Sequence, residues 1–230
     1  MKPVEPQTLL IDADDTLWEN NVHFERVIET VQTMLKPLGV TPREFRNHLD
    51  DLEREHIATH GYGTLNFTRS LVQAFRESLP PDADPSLVRQ VEKLGLGIMN
   101  RPLEIIAGVP ETLRYLSSRH SLYLVTKGDP QEQNRKVESS GLEIYFQAVE
   151  IVAEKDPSTY CALLRRHAWE PARTWMIGNS PRSDVNPAIS AGLNAVFIPH
   201  ANTWALEHEE PVRDPRVLRV ESFSDLRRHF

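Results

Sequence analysis

The chain has 230 residues, 40% of them hydrophobic, with 33 acidic against 26 basic side chains and a formal net charge of −7. That length and composition bury a full core, which excludes a disordered chain and leaves room for one domain carrying a large insertion. The acidic balance excludes a general attraction to nucleic acid or anionic lipid, so any anionic ligand must be drawn in locally.

The first ten residues, "MKPVEPQTLL", lack the layout of a signal peptide, and no apolar run is long enough to span a bilayer. A cytoplasmic protein is expected, with no nucleic-acid or membrane partner, as a monomer or small homo-oligomer. "TLLID" (8–12) reads as a strand and ends in a run of carboxylates: Asp12, Asp14 and Asp15.

From about 18 to 105 no strand pattern occurs, and helical stripes follow one another. Phe24, Ile28, Val31, Leu35 and Leu38 form the first. Phe45, Leu49 and Leu52 begin the second, introduced by Thr41-Pro42-Arg43-Glu44, a capping box with proline in the first turn. Leu71, Phe75 and Leu79 form a third; a fourth starts at Asp84-Pro85 and lines up Leu87, Val91, Leu94 and Ile98. Four such helices make a small bundle.

Past 105 the grammar alternates. Strand-like runs at 122–126, 149–153, 174–178 and 194–198 are separated by helical patterns, among them "PETLRYLSSR", "PQEQNRKVESSG", "PSTYCALLRRH" and "SDVNPAISAG". Cys161, the only cysteine, falls in one of these helices and reads as packing. Alternation of this kind predicts a parallel sheet covered on both faces. The expected fold is therefore α/β: a Rossmann-like three-layer core at 1–17 and 106–230, interrupted by an all-helical cap at 18–105. The tail "EHEEPVRDPRVL" reads as a solvated loop.

In an open parallel sheet, ligands gather beyond the carboxyl ends of the strands, which is where Asp12 stands. Carboxylates at i and i+2 repel unless something positive uses them, and Mg²⁺ wants oxygen ligands of this kind. The alternative is a polar turn before a helix, built by Asp14, Asp15 and Thr16. Thr126 ends a strand, either closing it or offering a hydroxyl to a transferring phosphoryl oxygen. Lys155 precedes Asp156-Pro157, an N-cap and first-turn pair, so it sits at a helix N-terminus where the dipole disfavours a cation. It is either a surface loop lysine or the partner of an anion.

"LLIDADDTL" resembles the first signature, Asp-x-Asp-x-Thr, of the haloacid dehalogenase superfamily. The further signatures have counterparts in order: Thr126 in "YLVTKG", Lys155 in "VAEKDPSTY", and Gly178, Asn179 and Asp184 in "MIGNSPRSDV". The insertion after the first signature resembles the helical-cap subclass. The resemblance implies a Mg²⁺-dependent phosphatase for a small phosphorylated metabolite. Asp12 attacks phosphorus to form an aspartyl-phosphate, Asp14 serves as general acid and base, and Asp12, Asp14, Asn179 and Asp184 surround the metal. Thr126, Lys127, Lys155 and Tyr62 then contact the substrate.

Two positions depart from the commoner pattern. Asn179 stands where most relatives carry aspartate, removing one charge from the metal site. Lys127 follows Thr126 where asparagine is frequent, and either adds a cation near the leaving group or points into solvent. Asp14 argues against dehalogenation, which needs neither a general acid nor a metal, and Lys36, beside Pro37, carries no mark of a desolvated Schiff-base lysine. A phosphomutase and a slow phospho-ligand-binding protein remain alternatives; a signalling receiver has no use for the helical insertion. "HGYGTLNF" (60–67) is either a substrate loop around Tyr62 or an ordinary helix connector. "PHANTW", with His200, Asn202 and Trp204, either approaches the site or is a surface loop, the second being the stronger reading.

Overall fold

The computed structural model describes residues 5–230. The expectation of no signal peptide, where it rests on residues 1–4, falls outside them. The chain divides into two compact units: the described residues up to Glu19 together with Leu103–Phe230, and Asn20–Pro102.

The first unit is built on β1 (Thr8–Ile11), β2 (Trp18–Glu19), β3 (Glu104–Ile105), α5 (Val109–Ser117), β4 (Ser121–Lys127), α6 (Pro130–Ser140), β5 (Ala148–Val152), α7 (Pro157–His167), β6 (Thr174–Gly178), α8 (Asn186–Ser190), β7 (Asn194–Phe197) and β8 (Val217–Arg219). Six strands form one parallel sheet in the order β5-β4-β1-β6-β7-β8. β1 is central, with Ile11 opposite Leu124 on one side and Ile177 on the other.

The strand period of two decides what each face buries. Leu9 and Ile11 pack with Leu113 and Leu116 of α5, Val137 of α6 and the C-terminal Phe223 and Leu226. Leu10 points the other way, toward Tyr160, Leu163 and Leu164 of α7 and Ala188 of α8. Each fully buried leucine or isoleucine contributes about 2 kcal/mol, so a charge at Leu10 would break the α7 face. The expected three-layer α/β core is present.

Two elements differ from expectation. The tail is not only a solvated loop: Val217 and Leu218 belong to β8, paired parallel to β7, and Glu207 is buried. Trp18-Glu19 and Glu104-Ile105 form a short antiparallel ladder, so residues 18–19 and 103–105 group with the sheet unit and not with the helices. Two-residue strands carry no periodicity for a sequence reading to find.

The second unit holds α1 (Asn21–Leu35), α2 (Pro42–His60), α3 (Thr64–Glu77) and α4 (Pro85–Leu96) around a core of its own, including Ile28, Val31, Leu35, Phe45, Leu49, Leu71, Phe75 and Val91. Its helix starts follow local chemistry. The Thr41 hydroxyl accepts from Glu44 N while the Glu44 carboxylate accepts from Thr41 N, and Asp84 caps α4 through Ser86 N, with Pro85 in the first turn. Leu38 departs from its expected stripe: it lies past α1 in a 3-10 turn and is exposed. No helix among the described residues is long and apolar enough to cross a membrane.

Candidate active site

Three strand ends converge beside Asp12. Asp12 N donates to Ile177 O (2.9 Å), which carries the β1 pairing one residue past the strand and sets the Asp12 side chain beside the start of the β6 loop. Asp15 has a left-handed backbone (φ 60°), a conformation uncommon outside glycine, asparagine and aspartate, and its N–H bonds to Trp18 O. The turn brings Thr16 back over the strand end. Its hydroxyl donates to Asp12 Oδ2 (2.9 Å) and lies 3.3 Å from Asn179 Oδ1, so the carboxylate of one strand end and the amide oxygen of another share a neighbour.

Lys155 joins the same cluster. Asp156 caps α7 through Thr159 N, with Pro157 in the first turn, and Lys155 immediately before it is buried. Its Nζ donates to Asp12 Oδ1 and to Asp184 Oδ1 (2.7 Å). Burial works against the ammonium, but Asp12 and Asp184 hold it above the ordinary lysine range. Burial, against the pull of Lys155 and reinforced by Asp184, pushes the Asp12 carboxyl up to about 7. A second cation beside Asp12 would restore its charge.

Asp184 is 1% exposed, and its other oxygen accepts from Ser180 N (3.0 Å). It reaches that place because residue 178 is glycine: a Cβ there would lie 2.1 Å from Asp184 Oδ2. The chain between them makes a π-type turn at Pro181–Val185. Asn179 Nδ2 donates to Thr203 Oγ1 (3.1 Å), leaving its amide oxygen on the Asp12 side. Thr203 belongs to "PHANTW", so this stretch reaches the site and is not merely a surface loop.

Asp14 takes a different set of partners. Its carboxylate accepts from Trp18 Nε1 (2.7 Å), Gln133 Nε2 (2.9 Å) and Lys136 Nζ (3.0 Å), the last two on α6. Against the effect of burial, Lys136, Gln133 and Trp18 hold its carboxyl below the usual range. The buried Thr126 hydroxyl lies 3.5 Å from Gln133 Oε1. Lys127 does not point into solvent: its Nζ meets Glu207 Oε1, Ser183 Oγ (2.8 Å) and Glu154 Oε1 (3.2 Å).

Asp12, Lys155, Asn179 and Asp184 thus share one region, with Asp14, Thr126 and Lys127 at its margins. Tyr62 belongs to the helical unit, in the turn between α2 and α3. Gly61 (φ 76°) and Gly63 (φ 121°) flank it with backbones that favour glycine, and Asn66 Nδ2 ties the turn by donating to His60 O and Gly61 O. Thr203, Glu207, Gln133 and Lys136 were not expected at the site from sequence. Their partners lie 24 to 122 positions away, beyond any local pattern.

A family profile described as haloacid dehalogenase-like hydrolase matches residues 6–192. The chain belongs to this family of hydrolases. A haloacid dehalogenase-like family hydrolase from Xanthomonas campestris, known from its crystal structure, is 29% identical with a TM-score of 0.86, over 100% of this chain and 92% of that one. A phosphoserine phosphatase from Thermus thermophilus is 32% identical over 115 residues, 48% of this chain and 43% of that protein, so the match spans less than half of its length. A 2-haloacid dehalogenase from Pseudomonas syringae shares the fold at 21% identity, with a TM-score of 0.60 over 96% of each chain.

Members of this family generally use a divalent metal, and the oxygens here fit one. Asp12 Oδ2 and Asn179 Oδ1 are hard donors held on either side of one hydroxyl, in a region whose buried carboxylates outnumber its buried cation. A separate trio, Asp15, Glu19 and His200, also has ligand atoms within 4.8 Å of one another. His200 Nε2 there lies 3.4 Å from the Glu19 carboxylate.

Proposed function

We propose that this hydrolase is a Mg²⁺-dependent phosphatase that cleaves a small phosphomonoester through an aspartyl-phosphate on Asp12. The observation that carries the reading is a second carboxylate, Asp14, two residues after the buried Asp12 and held by side chains of its own. Halide displacement has no use for such a group, because a halide leaves without a proton. The partial match to a phosphoserine phosphatase points the same way, while the dehalogenase neighbour shares only the fold.

Asp12, Asn179 and the Asp14 carbonyl would hold the metal, with Asp184 one step behind, since both its carboxylate oxygens already accept protein hydrogen bonds. When bound, Mg²⁺ offsets the repulsion between the carboxylate and the phosphoryl oxygens. The rest is done by the chain. An Asp12 oxygen forms the bond to phosphorus as the alcohol oxygen leaves, and Asp14 delivers a proton to that oxygen. A water then attacks phosphorus, Asp14 takes its proton, and Asp12 is released. The hydrogen bonds from Lys136, Gln133 and Trp18 favour ionised Asp14, the form the second displacement needs and the one that works against the first, so the proton Asp14 delivers is the one it took from water in the preceding turnover. Lys155 neutralises charge where Asp12 meets the substrate, and Thr126 donates to a phosphoryl oxygen.

The test is hydrolysis of p-nitrophenyl phosphate with Mg²⁺, with EDTA, and by Asp12→Asn. Activity is expected only in the wild type with Mg²⁺; equal rates in all three remove the reading. Asp14→Asn should cost roughly 10²–10⁴-fold in steady-state turnover of an alkyl phosphate and of p-nitrophenyl phosphate alike, because both pass through the same aspartyl-phosphate, while the initial burst of p-nitrophenol, which leaves as an anion unaided, should survive.

A further inference from the structure

The loop after β6 carries both Asn179 and Asp184, and its shape is set from outside by a residue far along the chain. Glu207 lies in a 3-10 turn at Ala205–Glu207 and is only 7% exposed. One carboxylate oxygen accepts from the hydroxyls of Ser180 and Ser183, and the other pairs with Lys127 at the end of β4. Lys127 also donates to Ser183 Oγ (2.8 Å) and to Glu154 Oε1 (3.2 Å), just before Lys155. Ser180 Oγ accepts from Ser183 N (3.0 Å), closing the network on itself. The Lys127 charge and the two serine hydroxyls outweigh burial and keep Glu207 ionised below the usual carboxylate range.

A buried ion pair is a poor way to gain stability, because desolvation consumes most of the attraction and a well-packed apolar pair often does as well. What it supplies is directional geometry. Four residues separate Asn179 from Asp184, and two of them, Ser180 and Ser183, are held by Glu207. The same Ser180 gives its backbone N–H to Asp184 (3.0 Å). Tyr160 adds a further tie by donating to Ser183 O (2.9 Å).

We propose that Glu207 is a positioning residue: with Lys127, Ser180 and Ser183 it fixes the loop so that the Asn179 amide oxygen stays beside Asp12 and Asp184 stays on Lys155. In this arrangement Lys127 serves the loop and not the substrate. The neutral amide oxygen of Asn179 attracts a dication less strongly than a carboxylate would, so its aim matters more. The proposal rests on the Mg²⁺-dependent reading above.

The test compares wild type, Glu207→Gln and Glu207→Ala. Three quantities are measured: Mg²⁺ affinity by isothermal titration calorimetry, the Mg²⁺ concentration at half-maximal rate with p-nitrophenyl phosphate, and the metal-free melting temperature. Glu207→Ala is expected to weaken Mg²⁺ binding about ten-fold or more in both the calorimetric and kinetic measurements, as loss of a partner behind a metal ligand commonly does. The KM for p-nitrophenyl phosphate at saturating Mg²⁺ should stay within about two-fold, because Glu207 does not touch substrate in this account. Glu207→Gln, which keeps a serine acceptor without the charge, should fall between. If Glu207→Ala does not fold, Ser183→Ala carries the same test and should also weaken Mg²⁺ binding. Variants that melt earlier but bind Mg²⁺ as the wild type does overturn the proposal. A wild type that binds Mg²⁺ without hydrolysing any phosphomonoester removes the phosphatase reading alone, and calorimetry still decides the role of Glu207.

Discussion

Both units of the molecule bury carboxylates, and they partner them differently. In the sheet unit, Asp12 and Asp184 share one ammonium, that of Lys155, and nearly every oxygen has a donor. In the helical unit, Glu53 on α2 is equally buried, but its Oε2 has no hydrogen-bond partner, and desolvation, with the nearby Asp50 adding, pushes its carboxyl up to about 8. Burial drives a carboxyl toward its neutral form in both places; the Lys155 ammonium between Asp12 and Asp184 opposes that drive, and Asp12 is still held up at about 7. The first arrangement suits charged chemistry. The second is a cost that the helical unit carries.

Removing the shared cation should produce the largest effect. Lys155→Met leaves Asp12 and Asp184 facing each other in a buried site, so destabilisation of about 3–5 kcal/mol is expected by urea unfolding, with the proposed hydrolysis of p-nitrophenyl phosphate lost. The double variant Lys155→Met/Asp184→Asn should recover much of the stability and none of the activity. If the single variant unfolds at the wild-type urea concentration, the comparison between the two units is wrong.

Glu53 gives the next effect, with the opposite sign. Its folded-state pKa lies above the ordinary 4.5, so the folded protein holds a proton that the unfolded chain gives up. That contribution is present in full below about pH 4.5 and is lost as pH rises through about 8. Glu53→Gln should therefore be more stable than wild type by roughly 4 kcal/mol near pH 8, since the rise from 4.5 to about 8 spans more than three units at about 1.4 kcal/mol each, and the gap should close on acidification. Urea melts at pH 5 and pH 8 measure it; a gap that does not change with pH would show that Glu53 already has a partner in solution.

What could be read from sequence follows from the distance over which each contact acts. The capping box at Thr41–Glu44, the caps at Asp84-Pro85 and Asp156-Pro157, and the apolar strands ending at Ile11 and Gly178 are written in neighbouring residues. The strand order then brings Asp12, Thr126, Lys155 and Asn179 together, because parallel strands put all their carboxyl ends on one edge. The network around Lys127 was not legible. A lysine after a strand could serve substrate or solvent, and only the fold brings Glu207 back across 80 positions to claim it. β8 was hidden for a related reason: Val217 and Leu218 are two apolar residues in a polar tail, and pairing with β7, not periodicity, makes them a strand.

The smallest effect concerns a buried base in place of a buried acid. His120 Nδ1 accepts from Gln7 N (3.1 Å), its ring meets Phe230 edge-on, and Nε2 is buried without a partner. Burial, with Arg119 adding, holds its pKa below the ordinary 6.5, so the unfolded chain binds this proton more readily than the folded one. The sign is opposite to that of Glu53: stability is complete above about pH 6.5 and falls as the solution is acidified. Histidine ring shifts followed by NMR should show His120 titrating below the ordinary value. His120→Asn, whose side-chain oxygen can still accept from Gln7, should lose less stability than wild type between pH 7 and pH 5, and equal losses would mean that protonation of His120 does not oppose folding.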